Sequence, residues 1–419
     1  MAPRDSGVRF AVVNLGCKVN RTESDEIAAA YLSSGGVRSS QEDADVIIIN
    51  TCTVTGEADK KARKAAHHAA TVNDHARILV TGCAAAIEPK EFERIDSRIE
   101  IAGKASIAQS ARGSSERSVL RLGNGFHTRV NIKVQDGCDH ACTYCIVHVA
   151  RGAARSRSAS SVEQETRAYL ARGVREIVLT GINLGSYASE GLTLAGLAGR
   201  LMGHMREEAD AGTSADGSNR CGVEARLRIG SIEPQDVGAD LVALLGLSDG
   251  TLSRHLHLPL QSGSDRVLAE MNRPYDVAFY TDLVERLYAA APGMSLSTDV
   301  IVGFPGETDK DFQETLDLCR RCRFSKIHVF PYSLREGTPA AKRADQIPPA
   351  VKKERARVLR ELGAQLRAED LLRRAGSSEY ALVETDRCVT ESYHELPLPA
   401  GVPTGSLISV SMPAHQLKI

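Results

Sequence analysis

Val130-Asn131-Ile132-Lys133-Val134-Gln135-Asp136-Gly137-Cys138-Asp139-His140-Ala141-Cys142-Thr143-Tyr144-Cys145 joins an alternating, strand-like run to a loop with cysteines spaced C-x3-C-x2-C. A strand that delivers three thiolates to one loop can hold a metal. The number matters: structural zinc closes with four ligands, and the common iron–sulfur clusters are likewise held by four. Three local ligands leave one metal corner for a substrate or cofactor. Downstream, candidate strands fall at 130–135, 176–180, 226–230, 255–259, 297–302 and 326–330, with helical stretches between them, among them 161–171, 276–290 and 308–320. Six strand–helix units imply an open or partial parallel barrel, whose catalytic face is built from the loops after the strands. The cysteine loop is the first of these.

Upstream the same alternation begins earlier. Residues 8–14 read as a strand and 22–34 as a helix, and Val46-Ile47-Ile48-Ile49-Asn50 is a continuously apolar run of the kind a parallel strand buried on both faces shows. Residues 57–71 read as a helix, and 77–81 as another buried strand. Alternating strands and helices imply a doubly wound α/β unit, and in such sheets ligands gather at the carboxyl ends of the strands. Cys17, Cys52 and Cys83 each stand just past one of these strand ends. A single cysteine there would be an ordinary small apolar residue, but three at equivalent positions point to a second three-thiolate metal site.

The rest of the chain bounds the reading. Its 419 residues suffice for two or three domains, and 42% hydrophobic with 25% charged residues is ordinary for a soluble protein. No run approaches the roughly 18 to 20 apolar residues that cross a bilayer, so no membrane partner is expected. The start, Met1-Ala2-Pro3-Arg4-Asp5-Ser6-Gly7, has no apolar signal core, and a cytoplasmic location is expected. In that compartment ten cysteines do not read as disulfides. Residues 104–118 look like a linker and 206–224 like a surface insertion. The stretch 351–374 is a strongly charged helical pattern, and 379–419 alternates like a small β-domain.

Two cysteine trios, one on an α/β unit and one opening a (βα)6 unit, resemble the radical-SAM methylthiotransferases. Asn14-Leu15-Gly16-Cys17-Lys18-Val19-Asn20, Ile132-Lys133-Val134-Gln135-Asp136-Gly137-Cys138 and Leu179-Thr180-Gly181-Ile182-Asn183-Leu184-Gly185 look most like the branch acting on N6-threonylcarbamoyladenosine at tRNA position 37. The resemblance implies a doubly wound α/β N-terminal methylthiotransferase domain over 1–115 and a partial (βα)6 radical-SAM barrel over 119–345. It also implies a basic linker helix over 346–375 and a small TRAM-like, RNA-binding β-barrel over 376–419. Cys138, Cys142 and Cys145 would hold a 4Fe-4S cluster that binds S-adenosylmethionine and makes a 5′-deoxyadenosyl radical. Cys17, Cys52 and Cys83 would hold a second 4Fe-4S cluster carrying the sulfur. A C–H bond of adenine is too inert for acid–base side chains, so a cofactor must carry this chemistry.

By the same analogy Tyr144, Gly181, Asn183, Ser231, Glu233, Gln261 and Gly303 are candidate S-adenosylmethionine contacts, each also readable as a cap or turn residue. The family usually follows the third N-terminal cysteine with an aromatic, then Ala-Gln, whereas this chain has Ala84-Ala85-Ala86. A flavodoxin or ferredoxin would be the electron donor. With a net charge of −1 and 4% aromatics, contact with the tRNA anticodon loop has to come from local basic groups. The candidates are Lys60, Lys61, Arg63 and Lys64, then Arg151, Arg155 and Arg157, then the helix 351–374. Of the remaining cysteines, Cys319 and Cys322 share C-x2-C spacing on a barrel helix and read as incidental, while Cys221 lies in the insertion and Cys388 in the tail. Open alternatives are an enzyme for N6-isopentenyladenosine tRNA, one for a ribosomal protein, and a non-catalytic iron–sulfur RNA-binding sensor.

Overall fold

The computed structural model describes residues 7–53, 55–104, 106–107, 128–211 and 223–414. The N-terminal part is a five-stranded parallel sheet in the order Val37–Arg38, Arg9–Asn14, Val46–Thr51, Arg77–Gly82, Ile99–Ile101. Its central strand puts Ile47, Ile48 and Ile49 at 0% exposure. Alternate residues face opposite sides of the sheet, so Ile47 and Ile49 pack in one cluster and Ile48 in the other. Burying such a side chain fully is worth about 1.5–3 kcal/mol. The helix read as starting at residue 22 begins at Lys18. The apolar spacing that marks it only becomes regular at Ile27, whereas its first two turns bury the polar residues Asn20, Thr22 and Glu23.

Six parallel strands follow: Arg129–Lys133, Glu176–Thr180, Arg226–Ile229, His255–His257, Ser295–Val302 and Lys326–Pro331. The first three pair as one sheet and the last three as another. Parallel bridges Leu227–Leu252 and Ser231–His257 join them, making one curved arc in chain order with helices packed outside. The fourth strand is shorter than the expected 255–259. Pro259 has no N–H to donate, and the Thr298 hydroxyl enters the ladder instead, donating to Leu258 O at 2.7 Å and accepting from Leu260 N at 2.9 Å. The helix Asp309–Cys322 begins in a capping box of Thr308 and Asp311. Cys319 and Cys322 are buried in the barrel core, in keeping with their incidental reading.

A further boundary moves. Residues 206–211 continue the helix Leu194–Ala211 rather than belonging to an insertion, because the apolar period of Leu194, Leu197, Leu201 and Met205 carries it forward. Cys221 and most of the expected linker lie outside the described residues. The long charged helix Pro349–Arg374 buries one face: Ala356, Leu359, Leu362 and Leu366 enter the barrel core. Arg355 is buried against Glu307, and Arg374 against Asp370 and Glu379. After it, Glu395–Leu396, Cys388–Thr390, Ser378–Val383 and Leu407–Ser411 form a four-stranded antiparallel sheet in that order. Among the described residues, no helix is long and apolar enough to cross a membrane.

Candidate active site

The N-terminal trio is placed by register. Asn14 pairs with Asn50, and Thr51 with Gly82, so the three central strands end level and release Cys17, Cys52 and Cys83 at one edge. Cys17 caps the helix Lys18–Ser33 and Cys83 opens the short helix Cys83–Ile87. Gly16 has φ +134°, and a methyl group there would lie 2.5 Å from Cys52 Cβ and 2.8 Å from its Sγ. Only glycine lets the two loops come this close. Asn20 ties the edge together, donating to Thr51 O at 2.7 Å and Leu15 O at 3.1 Å.

The second trio sits in the loop after Arg129–Lys133. Backbone N–H groups of His140 and Val147 donate to the sulfurs of Cys138 and Cys145, each at 3.4 Å. Arg273 donates to Cys142 Sγ at 3.3 Å and pairs with Glu233. Burial first, and then the neighbouring thiols of Cys142 and Cys138, push the Cys145 thiol up to about 11. Each of the three sulfurs on this loop thus has an N–H donor directed at it. Both trios fit iron–sulfur ligation in donor type, in number and in their donors to sulfur.

The trios meet through Arg151, the last residue of the helix Val147–Arg151 that follows Cys145. Its Nε donates to Cys83 Sγ at 3.2 Å, its Nη1 to Glu23 at 2.8 Å and Asp136 at 3.0 Å, and its Nη2 to Asn20 Oδ1 at 2.7 Å. Glu23 also pairs with Lys133 at 2.9 Å and with Lys104. Burial alone would raise the Glu23 carboxyl, but the Arg151 hydrogen bond and the charges of Lys104, Arg151 and Lys133 hold it at about 2. Arg151 is therefore not free to contact phosphate as expected. The fork spacing that suits a phosphate also suits this buried carboxylate. Arg155 pairs with Asp136 and Arg157 with Glu165. Lys60, Lys61 and Lys64 on the helix Gly56–Val72 are exposed.

The residues anticipated as cofactor contacts lie at the carboxyl ends of the barrel strands. Tyr144 packs on Val267, Met271, Phe304 and Tyr332. Gln135 Oε1 accepts from Ile182 N at 3.0 Å and Asn183 N at 2.8 Å, and fills the space a side chain at Gly181 would need. Asn183 Oδ1 is buried without a protein partner, an acceptor open to a bound group. Ser231 is exposed beside His257. Glu233 is engaged by Arg273, and Gln261 adopts φ +65° next to Asp299. Gly303 has φ +72°, but the space beside it holds the Lys352 side chain, 2.4 Å from where a methyl would sit. Glu23 and Arg273 escaped the sequence reading, and Asn20, Gln135 and Asp136 stood there only inside the motifs, without a role. They are ordinary polar residues in helices and strands, and only the approach of remote segments gives them roles.

A family profile described as the Radical SAM superfamily matches residues 132–319, and one described as "Uncharacterized protein family UPF0004" matches residues 9–102. A Bacillus subtilis protein named threonylcarbamoyladenosine tRNA methylthiotransferase MtaB is 37% identical over 379 residues, 85% of this chain and 80% of the relative. The Thermotoga maritima protein of the same name is 35% identical, over 84% and 80%. A Bacillus velezensis tRNA-2-methylthio-N(6)-dimethylallyladenosine synthase is 32% identical, over 90% and 76%. Among solved structures, the radical S-adenosylmethionine methyltransferase TsrM from Kitasatospora setae shares the fold with a TM-score of 0.56 at 15% identity, covering 80% of this chain and 77% of that one. The chain belongs to the radical-SAM methylthiotransferase family.

Proposed function

We propose that this enzyme replaces C2–H by C2–SCH3 on N6-threonylcarbamoyladenosine at position 37 of tRNA. The observation that carries the reading is the pair of cysteine trios joined across Arg151, a two-centre site that single-cluster chemistry does not need. Relatives named for this reaction match over most of the chain. Cys138, Cys142 and Cys145 would hold one 4Fe-4S cluster, and Cys17, Cys52 and Cys83 a second. When bound, these clusters supply the electron that opens S-adenosylmethionine and the sulfur that is transferred.

The chain's own groups bind and position. Asn183 offers its free acceptor to the cofactor, with Tyr144, Gly181, Ser231, Glu233, Gln261 and Gly303 around the same rim. Arg273 fixes Glu233 and donates to Cys142, and Arg151 donates to Cys83. Residues 1–115, 119–345, 346–375 and 376–419 would act as sulfur-donor domain, radical domain, linker helix and TRAM-like RNA-binding domain. Lys60, Lys61 and Lys64, with Lys353 and Arg360 exposed on the long helix, would meet tRNA phosphates. A cytoplasmic location and a flavodoxin or ferredoxin donor complete the reading.

Mass spectrometry of tRNA nucleosides from a strain lacking this gene tests it. The 2-methylthio derivative of threonylcarbamoyladenosine should vanish and return on complementation. Its persistence, with no second such enzyme present, would show the assignment to be wrong.

A further inference from the structure

The concave face of the last three barrel strands carries a polar cluster that neither cysteine trio uses. His257 pairs in register with Ser297, and Asp299 with His328. The alternate residues Leu256, Leu296 and Val300 go to the outer core with the helices, so the polar set faces the lumen. His257 Nε2 lies 3.1 Å from Asp299 Oδ1. The His257 and His328 rings stand edge-on with centroids 5.5 Å apart. One polar atom from each of the three lies within 4.8 Å of the others. Ser231, at the expected cofactor rim, bridges to His257, so this cluster begins one strand away from where the reaction would occur.

Its hydrogen bonding has a direction. Ser297 Oγ is 3.0 Å from His255 Nε2 and 2.9 Å from His257 Nδ1, and it has one proton to give. His255 Nδ1 is buried with no partner. A bare acceptor is the more tolerable orphan, so His255 carries its proton on Nε2 and donates to Ser297. Ser297 then donates to His257 Nδ1, leaving His257 Nε2–H to donate to Asp299. The chain holds the Asp299 carboxylate in place and leaves its remaining lone pairs facing the lumen, beside the half-buried His328 ring.

We propose that Asp299 and His328, positioned by His257, bind the polar N6 substituent of the target adenosine and select it over an apolar one. This rests on the function proposed above and names the part of the substrate that is read. A carbamoyl group linking N6 to threonine presents adjacent N–H donors, which one carboxylate accepts as a pair, and a free carboxylate, which an imidazole N–H can meet. A dimethylallyl group offers neither and would strip water from Asp299 and His328 without replacing it, a mismatch that polar sites reject strongly.

The test uses full-length, anaerobically reconstituted protein and two preparations of one tRNA, carrying N6-threonylcarbamoyladenosine or N6-dimethylallyladenosine. Wild type, H328F, H328Q and D299N are compared for kcat and KM of methylthiolation, with iron content and thermal midpoint as controls of folding. H328F and D299N should lose on the order of 10- to 100-fold in kcat/KM on the threonylcarbamoyl tRNA, mostly in KM. H328Q should recover part of the loss, and the preference between the two tRNAs should narrow in H328F. Folded variants that keep the wild-type preference and KM overturn the pocket alone. Wild type acting on neither tRNA overturns the proposed function and this inference with it. If Mn2+ titrated into the holoenzyme is bound at one per chain by electron paramagnetic resonance, and H328F abolishes that binding, the cluster is a cation site and the proposal falls.

Discussion

Replacing Arg151 by Gln should weaken both the seam between the two cysteine sites and the electronic setting of the one formed by Cys17, Cys52 and Cys83. The Arg151 side chain is 5% exposed and Glu23 is 2% exposed, so removing the guanidinium leaves a carboxylate buried with fewer partners. Breaking a buried pair outright costs about 3–5 kcal/mol. Here Lys133 and Lys104 remain on Glu23, which brings the expected loss to about 2 kcal/mol. The sign with pH follows from Glu23, held at about 2 against an ordinary 4.5. Its stabilisation is complete above the unfolded value and fades as pH falls from about 4.5 to about 2, and R151Q should move acid unfolding to higher pH.

A second consequence falls on Cys83, which loses a charged N–H donor. Donors to cluster sulfur favour the reduced state. If about 1 kcal/mol of such a hydrogen bond distinguishes the two redox states, the potential drops by on the order of 50 mV for one electron. The assay is a redox titration followed by electron paramagnetic resonance, in protein with Cys138, Cys142 and Cys145 replaced by Ala, with and without R151Q. R151K, which keeps the charge but not the fork, should fall between. An unchanged potential and an unchanged urea midpoint in R151Q would refute the coupling.

Replacing Cys17, Cys52 and Cys83 by Ala should halve the iron of reconstituted protein from about eight atoms per chain, abolish methylthiolation and leave 5′-deoxyadenosine formation, measured by chromatography. E176Q should cost about 3–5 kcal/mol in urea unfolding, because Glu176 is fully buried with Arg226 and Arg228, whose remaining partners are backbone carbonyls and, for Arg228, the Tyr393 ring. R335A should destabilise by about 1–3 kcal/mol, since Arg335 reaches from the loop after the last barrel strand to Asp59 and Thr53, next to Cys52. Limited proteolysis of the helix Gly56–Val72 should accelerate with it.

What the sequence disclosed is what repeats locally. Val46-Ile47-Ile48-Ile49-Asn50 announces a strand covered on both faces, and three cysteines after three strands announce a shared edge, because strand ends in a parallel sheet are level by construction. The six barrel strands were readable for the same reason, with ends shifted by one or two residues, at the fourth strand because a proline and a threonine hydroxyl altered the ladder. Arg151 shows what was not readable. In the chain it is one of three arginines after the cluster loop, with the spacing of a phosphate contact. Its partners Glu23, Asn20 and Cys83 stand 128, 131 and 68 residues away. The same holds for His257, Asp299 and His328, which sit on three strands and are joined by register alone. A buried charge or a lumen cluster is a property of tertiary approach, and a periodicity reading has no term for it. Ligand sets carried on one loop or on equivalent strand ends are therefore visible in a sequence, whereas the residues that couple two sites or select a substrate become visible only when the segments are brought together.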